Sequence, residues 1–453
     1  MIFVLVDDLG FANLGCYGSQ SIQTPRLDQM AREGMRFLNA YSGCTVCAPA
    51  RSVLMTGKHM GHTSVRVNSG GVPLLDADVT IAEVLKQAGY TCGGFGKWAL
   101  GDLDTEGVPE QQGFDRFFGY YHQFHAHLTF PEYLIDNGRK IEYPGNRNFN
   151  IPFGGPRPEP GFTPVVNPHT GQPLRYAHYE VFRETLDFIR DNHDRSFFCF
   201  APWTPPHGRY QIPASDPAAT LYRDKPWSER SRVFAAMTSM IDRQMGELLD
   251  LLSELEIDNN TIVIFCSDHG APFRADDELN SSGPYRGYKR SMYEGGLRVP
   301  MLVRWPGRIA TDSETGHVCT FTDILPTLAE LAGASDHVPA DIDGISLVPT
   351  LLGKPDQQAQ HPLLYWQWAR FNPENNRYGD SMQAIRRGNL KLLRNSEQEP
   401  WELYDLKTDP YETTNIAGER SRDMEELILQ IGVVQRPPRE QREPDKPADR
   451  RFR

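Results

Sequence analysis

The sequence predicts an α/β fold: a large mixed, mostly parallel sheet flanked by helices, with a small C-terminal subdomain containing an antiparallel sheet. Three observations lead there. Continuous apolar runs stand at Ile2 to Val6, Phe197 to Ala201, Thr261 to Cys266 and Val299 to Trp305, the pattern of strands covered on both faces. Segments of helical periodicity separate them, and such alternation favours a parallel sheet with crossover helices. After His361 the pattern changes to short alternating stretches, LLYWQW, MQAIRRGNLKLLR and WELYDL, which read as antiparallel strands.

In chain order, the first strand ends at Asp7, and helices are expected near Pro25 to Glu33, Val79 to Ala88, Tyr179 to Asp191 and Asp323 to Leu331. The longest helix runs from about Ser228 to Leu255, where Val233, Met237, Met240, Ile241, Met245, Leu248, Leu249 and Leu252 trace one apolar stripe facing a core. Asn137 to Pro173 is rich in Gly, Pro and Asn and reads as a long irregular excursion of the kind that often binds ligands. The expected division is a main domain over 1–360, an antiparallel-sheet subdomain over 361–436 and an extended, charged, Pro-rich tail over 437–453.

Composition excludes several classes. A chain of 453 residues with 39% apolar content can bury a large core. Its apolar runs are too short to cross a bilayer, so no membrane span is expected. A net charge of −12 argues against nucleic acid as partner; an anionic substrate needs a local basic pocket. The opening MIFVLVDDLG lacks the basic start and cleavage site of a signal peptide. Seven cysteines include one C-x-x-C pair, Cys44 and Cys47, without the second ligand pair of a zinc site or a thioredoxin-like unit.

The chemistry concentrates in a few motifs. Asp7 and Asp8 sit where a buried strand ends, and Cys266-Ser267-Asp268-His269-Gly270 follows another; ligands of open α/β sheets bind outside such ends. Each Asp taken alone is equally a turn or helix cap. If the two strands are neighbours, three carboxylates converge, and a hard divalent cation bound through oxygen relieves their repulsion.

The segment Cys47-Ala48-Pro49-Ala50-Arg51, followed after four residues by Thr56-Gly57, resembles the C-x-P-x-R-x4-T-G signature of the sulfatase family, within the alkaline phosphatase superfamily. In that family the cysteine is oxidised to formylglycine. The resemblance extends along the chain, through IFVLVDDLG, Gly96-Lys97-Trp98, Thr204-Pro205-Pro206-His207, SDHG, Tyr288-Lys289 before Tyr293-Glu294-Gly295-Gly296, and the C-terminal IRRGNLKLL and ELYDLKTDPYETTNIA. It implies one calcium ion held by Asp7, Asp8, Asp268, His269 and the modified Cys47. His269 stands where the family often has Asn, and an imidazole is a softer partner for calcium.

The implied chemistry is hydrolysis of a sulfate ester by a hydrated aldehyde: one hydroxyl attacks sulfur, and the other then loses its proton and expels sulfate. Arg51, Lys97, Lys289 and the metal offset the negative charge, and His207 protonates the departing oxygen. Where many relatives read G-K-W-H-L-G, this chain has Ala99, so a neighbouring loop must supply the proton acceptor or a water must relay it. His122, shortly after Gly113 to Gly119, is the candidate, with His125 and His127 as alternatives.

The aromatic and polar stretch Tyr120 to His127, and a second cluster from Tyr365 to Phe371 that equally fits a core strand, point to a sulfated carbohydrate or polysaccharide as substrate. The other implied partner is a formylglycine-generating or anaerobic sulfatase-maturating enzyme, and the expected location is periplasmic or secreted. The rival readings are a formylglycine-dependent phosphonate or phosphodiester hydrolase and a catalytically silent glycan-binding relative.

Overall fold

A computed structural model of the chain describes residues 1–68, 72–150, 160–272, 278–372 and 377–437. Its strands are β1 (Ile2–Val6), β2 (Met35–Tyr41), β3 (Thr91–Lys97), β4 (Arg116–Tyr120), β5 (Tyr133–Asp136), β6 (Arg139–Glu142), β7 (Gly161–Thr163), β8 (Phe197–Ala201), β9 (Gln211–Pro213), β10 (Val263–Ser267), β11 (Met301–Arg304), β12 (Ser313–Thr320), β13 (Leu364–Asn372), β14 (Arg377–Arg387), β15 (Leu390–Arg394) and β16 (Glu402–Asp405).

Ten of these form one sheet in the order β12-β2-β11-β10-β1-β8-β3-β4-β5-β6. Strands β10, β1, β8, β3 and β4 are parallel, while β11 and β5 run against their neighbours. The sheet is therefore mixed and mostly parallel, as expected from the sequence.

Its central strands β1 and β8 are apolar at every position because both faces are covered. Phe3 and Leu5 pack into one core with Phe198, Phe200, Ile264 and Cys266, whereas Ile2, Val4 and Val6 pack into another with Phe197, Cys199, Val263 and Phe265. Side chains alternate across a strand, so a strand buried between two helical layers has no polar face to show. The long helix Glu229–Glu254 carries the expected stripe, with Met237, Met240, Met245 and Leu248 fully buried.

The helices Pro25–Arg32, Ile81–Gln87, Ala177–Asn192 and Ile324–Ala332 fall within a few residues of their expected bounds. Less legible was β3, TCGGFGK, whose glycines resemble a loop. Packing demands them: a Cβ on Gly93 would lie 2.7 Å from the Phe188 ring, and one on Gly96 would lie 2.1 Å from the Pro202 carbonyl oxygen. The excursion after Asn137 is more regular than its composition suggests, since Arg139–Glu142 pairs with β5. Residues 151–159 of that stretch and 438–453 of the tail lie outside the described residues.

Strands β13-β14-β15-β16 form the small antiparallel sheet, followed by a helix, Ser421–Val434, that composition did not suggest. This sheet is bolted to the main body by buried charges. Lys391 on β15 lies 2.8 Å from Glu294 and 2.9 Å from Glu412, and Arg298 holds Glu294 from the other side at 2.7 Å. Trp366 on β13 donates to the Ser42 carbonyl at 2.8 Å, close to the turn that leads to Cys47. Tyr365, Trp366 and Trp368 are buried, so these aromatics are core.

Candidate active site

The site lies beyond the C-terminal ends of β1, β10, β3 and β8, where parallel strands release their chains together. Register places β1 beside β10, with Val6 paired to Ser267, so Asp7 and Asp8 emerge next to Asp268 and His269. The Asp8 N–H donates to Asp268 Oδ1 at 3.2 Å, and the Leu9 N–H to Ser267 Oγ at 3.0 Å. Asp8 has a φ of 72°, a left-handed conformation that a carboxylate residue tolerates at modest cost.

Cys47 opens the helix Cys47–Thr56, and the spacing of its motif has a physical basis. Pro49 occupies the first turn, where N–H groups have no intrahelical acceptor. Arg51 lies one turn after Cys47 on the same face. Gly57 ends the helix at a φ of 67°, the left-handed cap that favours glycine. Thr56 donates to the Ser52 carbonyl at 2.7 Å.

Arg51 is 1% exposed and ties the strand ends together. Its guanidinium reaches Asp268 at 3.1 Å, Asp7 at 3.4 Å and the Lys97 carbonyl at 2.5 Å. Lys97, at the end of β3, contacts Asp7 at 2.5 Å, and Lys289 contacts Asp8 at 2.5 Å and the Cys47 sulfur at 3.6 Å. His207, in the loop after β8, has Nε2 3.5 Å from Asp8. Three buried carboxylates thus face three buried cations around one thiol.

The charge balance is local. Burial pushes the Asp7 carboxyl up, but Lys97, His207 and Arg51 overcome this and hold it well below the usual range. Burial pushes Asp8 up to about 7, and the nearby negative charge of Asp7 adds to it despite Lys289. Burial, then Asp7, raises the Cys47 thiol, and burial pushes Cys44 up to about 12. Neither cysteine is the low-pKa thiolate that redox exchange uses, and all seven cysteines are free.

The donor set fits a divalent cation. Ligand atoms of Asp7, Asp8, Cys47 and His269 all lie within 4.8 Å of one another. From His269 Nε2 the sulfur lies at 3.2 Å, and carboxylate oxygens of Asp268, Asp8 and Asp7 at 3.4, 3.5 and 3.9 Å. An ion with bonds of about 2.4 Å needs neighbouring ligands roughly 3.4 Å apart. His269 Nδ1 lies 3.0 Å from the Gly270 carbonyl, which fixes the proton there and turns the Nε2 lone pair toward the carboxylates.

The structure therefore brings together Asp7, Asp8, Cys47, Arg51, Lys97, His207, Asp268, His269 and Lys289. The histidines after β4 stay near one another, and His122 is among the groups whose charge acts on His125 and on His127. His122 accepts from the Phe124 N–H at 3.1 Å; burial lowers its pKa, and Asp102 opposes that shift. His125 packs against Tyr120 and Tyr133, with ring centroids at 5.1 and 4.4 Å. His127 packs against His207 at 4.4 Å. Tyr120 and Tyr121 are buried, which removes them from any exposed sugar platform. Sequence reasoning missed Tyr210, whose hydroxyl is influenced by Asp8 and Lys289; its only sequence signal is its place three residues after His207.

A basic pocket that backs a metal-type carboxylate cluster with a thiol at a helix start is the site of a hydrolase of anionic esters. Comparison with known proteins gives the family. The sulfatase family profile matches residues 1–334, and a profile described as the C-terminal region of N-sulphoglucosamine sulphohydrolase matches 285–433. N-acetylgalactosamine-6-sulfatase of Homo sapiens is 30% identical over 455 residues, covering 95% of this chain and 79% of that protein. Arylsulfatase A of Homo sapiens is 32% identical over 454 residues, covering 92% and 83%. Among solved structures, Ps i-CgsB in complex with k-i-k-neocarrahexaose aligns with a TM-score of 0.77 at 24% identity, covering 97% of this chain and 93% of that one. The chain belongs to the sulfatase family and is a sulfuric ester hydrolase. Among the described residues no helix is long and apolar enough to cross a membrane.

Proposed function

We propose that this sulfatase hydrolyses sulfate esters of a carbohydrate, using Cys47 oxidised to formylglycine and one calcium ion. The observation that carries the reading is the convergence of Asp7, Asp8, Cys47 and His269 within 4.8 Å, with Arg51, Lys97 and Lys289 packed around them. The sugar assignment draws support from the relatives, one named for N-acetylgalactosamine-6-sulfate and one solved with a carrageenan oligosaccharide.

The choice of metal follows from the donors. An unmodified thiol with imidazole and carboxylate is a zinc-like set, whereas an oxygen-bearing residue 47 among three carboxylates is a calcium-like one. The raised thiol pKa supports modification, because a buried neutral thiol is a poor nucleophile. Once hydrated, the aldehyde supplies a hydroxyl nucleophile and the cation supplies charge stabilisation. The chain's own groups do the rest. Arg51 holds Asp7 and Asp268 in place. Lys97 and Lys289 oppose the charge that builds on the sulfate oxygens. His207 is kept neutral by burial, which outweighs the attraction of Asp7; to protonate the departing alcohol oxygen it first takes up a proton from water.

The test is peptide mass spectrometry of protein made with a formylglycine-generating or anaerobic maturating enzyme, combined with elemental analysis. Aldehyde or its hydrate at residue 47, about one calcium per chain and sulfate release from sulfated glycans are the expected results. Full turnover by Cys47→Ala, or stoichiometric zinc in the mature enzyme, would sink the assignment.

A further inference from the structure

We propose that one buried water molecule sits behind His207, hydrogen-bonded to its Nδ1 and to Tyr176, His178 and Thr204, and holds the ring so that Nε2 faces the active site. The water site follows from geometry, and its consequence for turnover rests on the sulfatase reading given above.

The two nitrogens of the His207 ring have different surroundings. Nε2 stands 3.5 Å from Asp8, at the edge of the carboxylate cluster. Nδ1 is buried and hydrogen-bonds to no described residue. A polar atom shut away from bulk solvent in this way carries a desolvation penalty, and such atoms are nearly always paired with protein or with an ordered water. Three neighbours share its condition. Thr204 Oγ1 belongs to the same loop after β8, while Tyr176 Oη and His178 Nδ1 come from the start of the helix Ala177–Asn192, and each is buried without a partner among the described residues.

The four residues line one cavity of about 10 Å³, the room that a single water needs. Much of the remaining wall is apolar, from Ala126, Leu128, Val181 and Pro205. The other two hydroxyls that border it are already engaged, Tyr120 donating to the Leu128 carbonyl and Thr129 to Gln211 Oε1, both at 2.7 Å. The free hydrogen-bonding capacity around the cavity therefore sits on His207, Thr204, Tyr176 and His178.

Their donor and acceptor roles match one water. His178 Nε2 lies 2.7 Å from Gln244 Oε1, and burial pushes this imidazole down to about 4. The ring is thus neutral with its proton on Nε2, and Nδ1 accepts. Burial keeps the Tyr176 phenol protonated, so Tyr176 donates. A water that donates to His178 and accepts from Tyr176 has one proton and one lone pair left. The Thr204 oxygen takes the proton, and the lone pair accepts the His207 Nδ1–H. A hydrogen bond at one ring nitrogen sets the role of the other, so Nε2 is left as the nitrogen turned to the reacting atoms. Tyr176, His178 and Thr204 act through the water as positioning residues.

The experiment uses the matured, metal-loaded protein. A crystal structure at a resolution that orders buried water should show one water within hydrogen-bond distance of His207 Nδ1 and of at least two of the other three atoms; a dry cavity would overturn the proposal. NMR of the His207 ring nitrogens should show Nδ1 protonated in the wild type and a mixture of tautomers in Tyr176→Phe/Thr204→Val, which removes both hydroxyls at nearly constant shape. With 4-nitrophenyl sulfate, kcat of that double variant should fall roughly tenfold at unchanged KM, the worth of about one hydrogen bond. Thr204→Ser, which keeps the hydroxyl, should retain wild-type kcat. Wild-type kcat and tautomer in the double variant, or an equal loss in Thr204→Ser, would overturn the positioning role. The wild-type structure and spectrum decide the matter if the double variant folds poorly. Wild-type protein that holds the water but releases no sulfate from any ester would instead overturn the sulfatase reading.

Discussion

Glu412 offers a test of how the two sheets are held together. Its carboxylate is fully buried, 2.9 Å from Lys391, and accepts the Glu294 N–H at 2.7 Å. Burial, with repulsion from Glu294, pushes it up to about 7 despite Lys391. Burial also acts against Glu294, but Lys391, Arg298 and Arg386 overcome it and hold that carboxyl below the ordinary range. One lysine thus serves two carboxylates, and the folded protein keeps a proton on Glu412 that the unfolded chain releases near pH 4.5. A carboxyl whose pKa rises on folding stabilises the fold fully below its unfolded pKa and loses that contribution as pH rises through its folded pKa. The window is therefore pH 4.5 to 7, and at about 1.4 kcal/mol per unit the change is roughly 3 kcal/mol. Glu412→Gln removes the titration. It also sets an amide donor against Lys391 or the Glu294 N–H, at a pH-independent cost of about 1–3 kcal/mol. Urea unfolding of both proteins at pH 5, 6, 7 and 8, with calcium saturating, should show the wild-type advantage shrinking by roughly 2.5 kcal/mol between the extremes. A difference that stays constant across this range would refute the shared-proton account.

Two further outcomes follow from the same geometry. Asp268→Asn removes one charge from the cluster and from its pair with Arg51 at 3.1 Å. Calcium affinity measured by calorimetry should fall by at least roughly tenfold, and activity should fall with it; unchanged affinity would exclude Asp268 as a ligand. Gly96→Ala, at a φ of 133° with its Cβ 2.1 Å from the Pro202 carbonyl oxygen, should lower stability by about 3 kcal/mol or more. It should also reduce turnover by displacing Lys97, and thermal unfolding together with kcat reads both effects.

Most of this arrangement was legible because it is written in local rules. A strand between two helical layers must be apolar throughout, so Ile2 to Val6 and Phe197 to Ala201 declared themselves. The Cys47 segment was legible through its resemblance to the sulfatase signature, since a cysteine before a proline-initiated helix carries no function by itself. What escaped was whatever depends on tertiary approach. The glycines of β3 are set by the rings and carbonyls they touch, and no periodicity records that. Lys391, Glu294 and Glu412 are distant in sequence, and each alone reads as a surface charge.

Tertiary approach also joins the two halves of the site. The metal-type cluster comes from strand ends whose register fixes Asp7, Asp8, Asp268 and His269 with little freedom. The cations around it come from elsewhere: Arg51 from a helix start, Lys97 from a strand end, and Lys289 from a loop. Residues 286–294 of that loop are anchored on the C-terminal sheet and the turn after it through Arg286 to Tyr404, Met292 to Asn395 and Glu294 to Glu412. The position of Lys289 beside Asp8 and Cys47 therefore depends on the small sheet as well as on the large one.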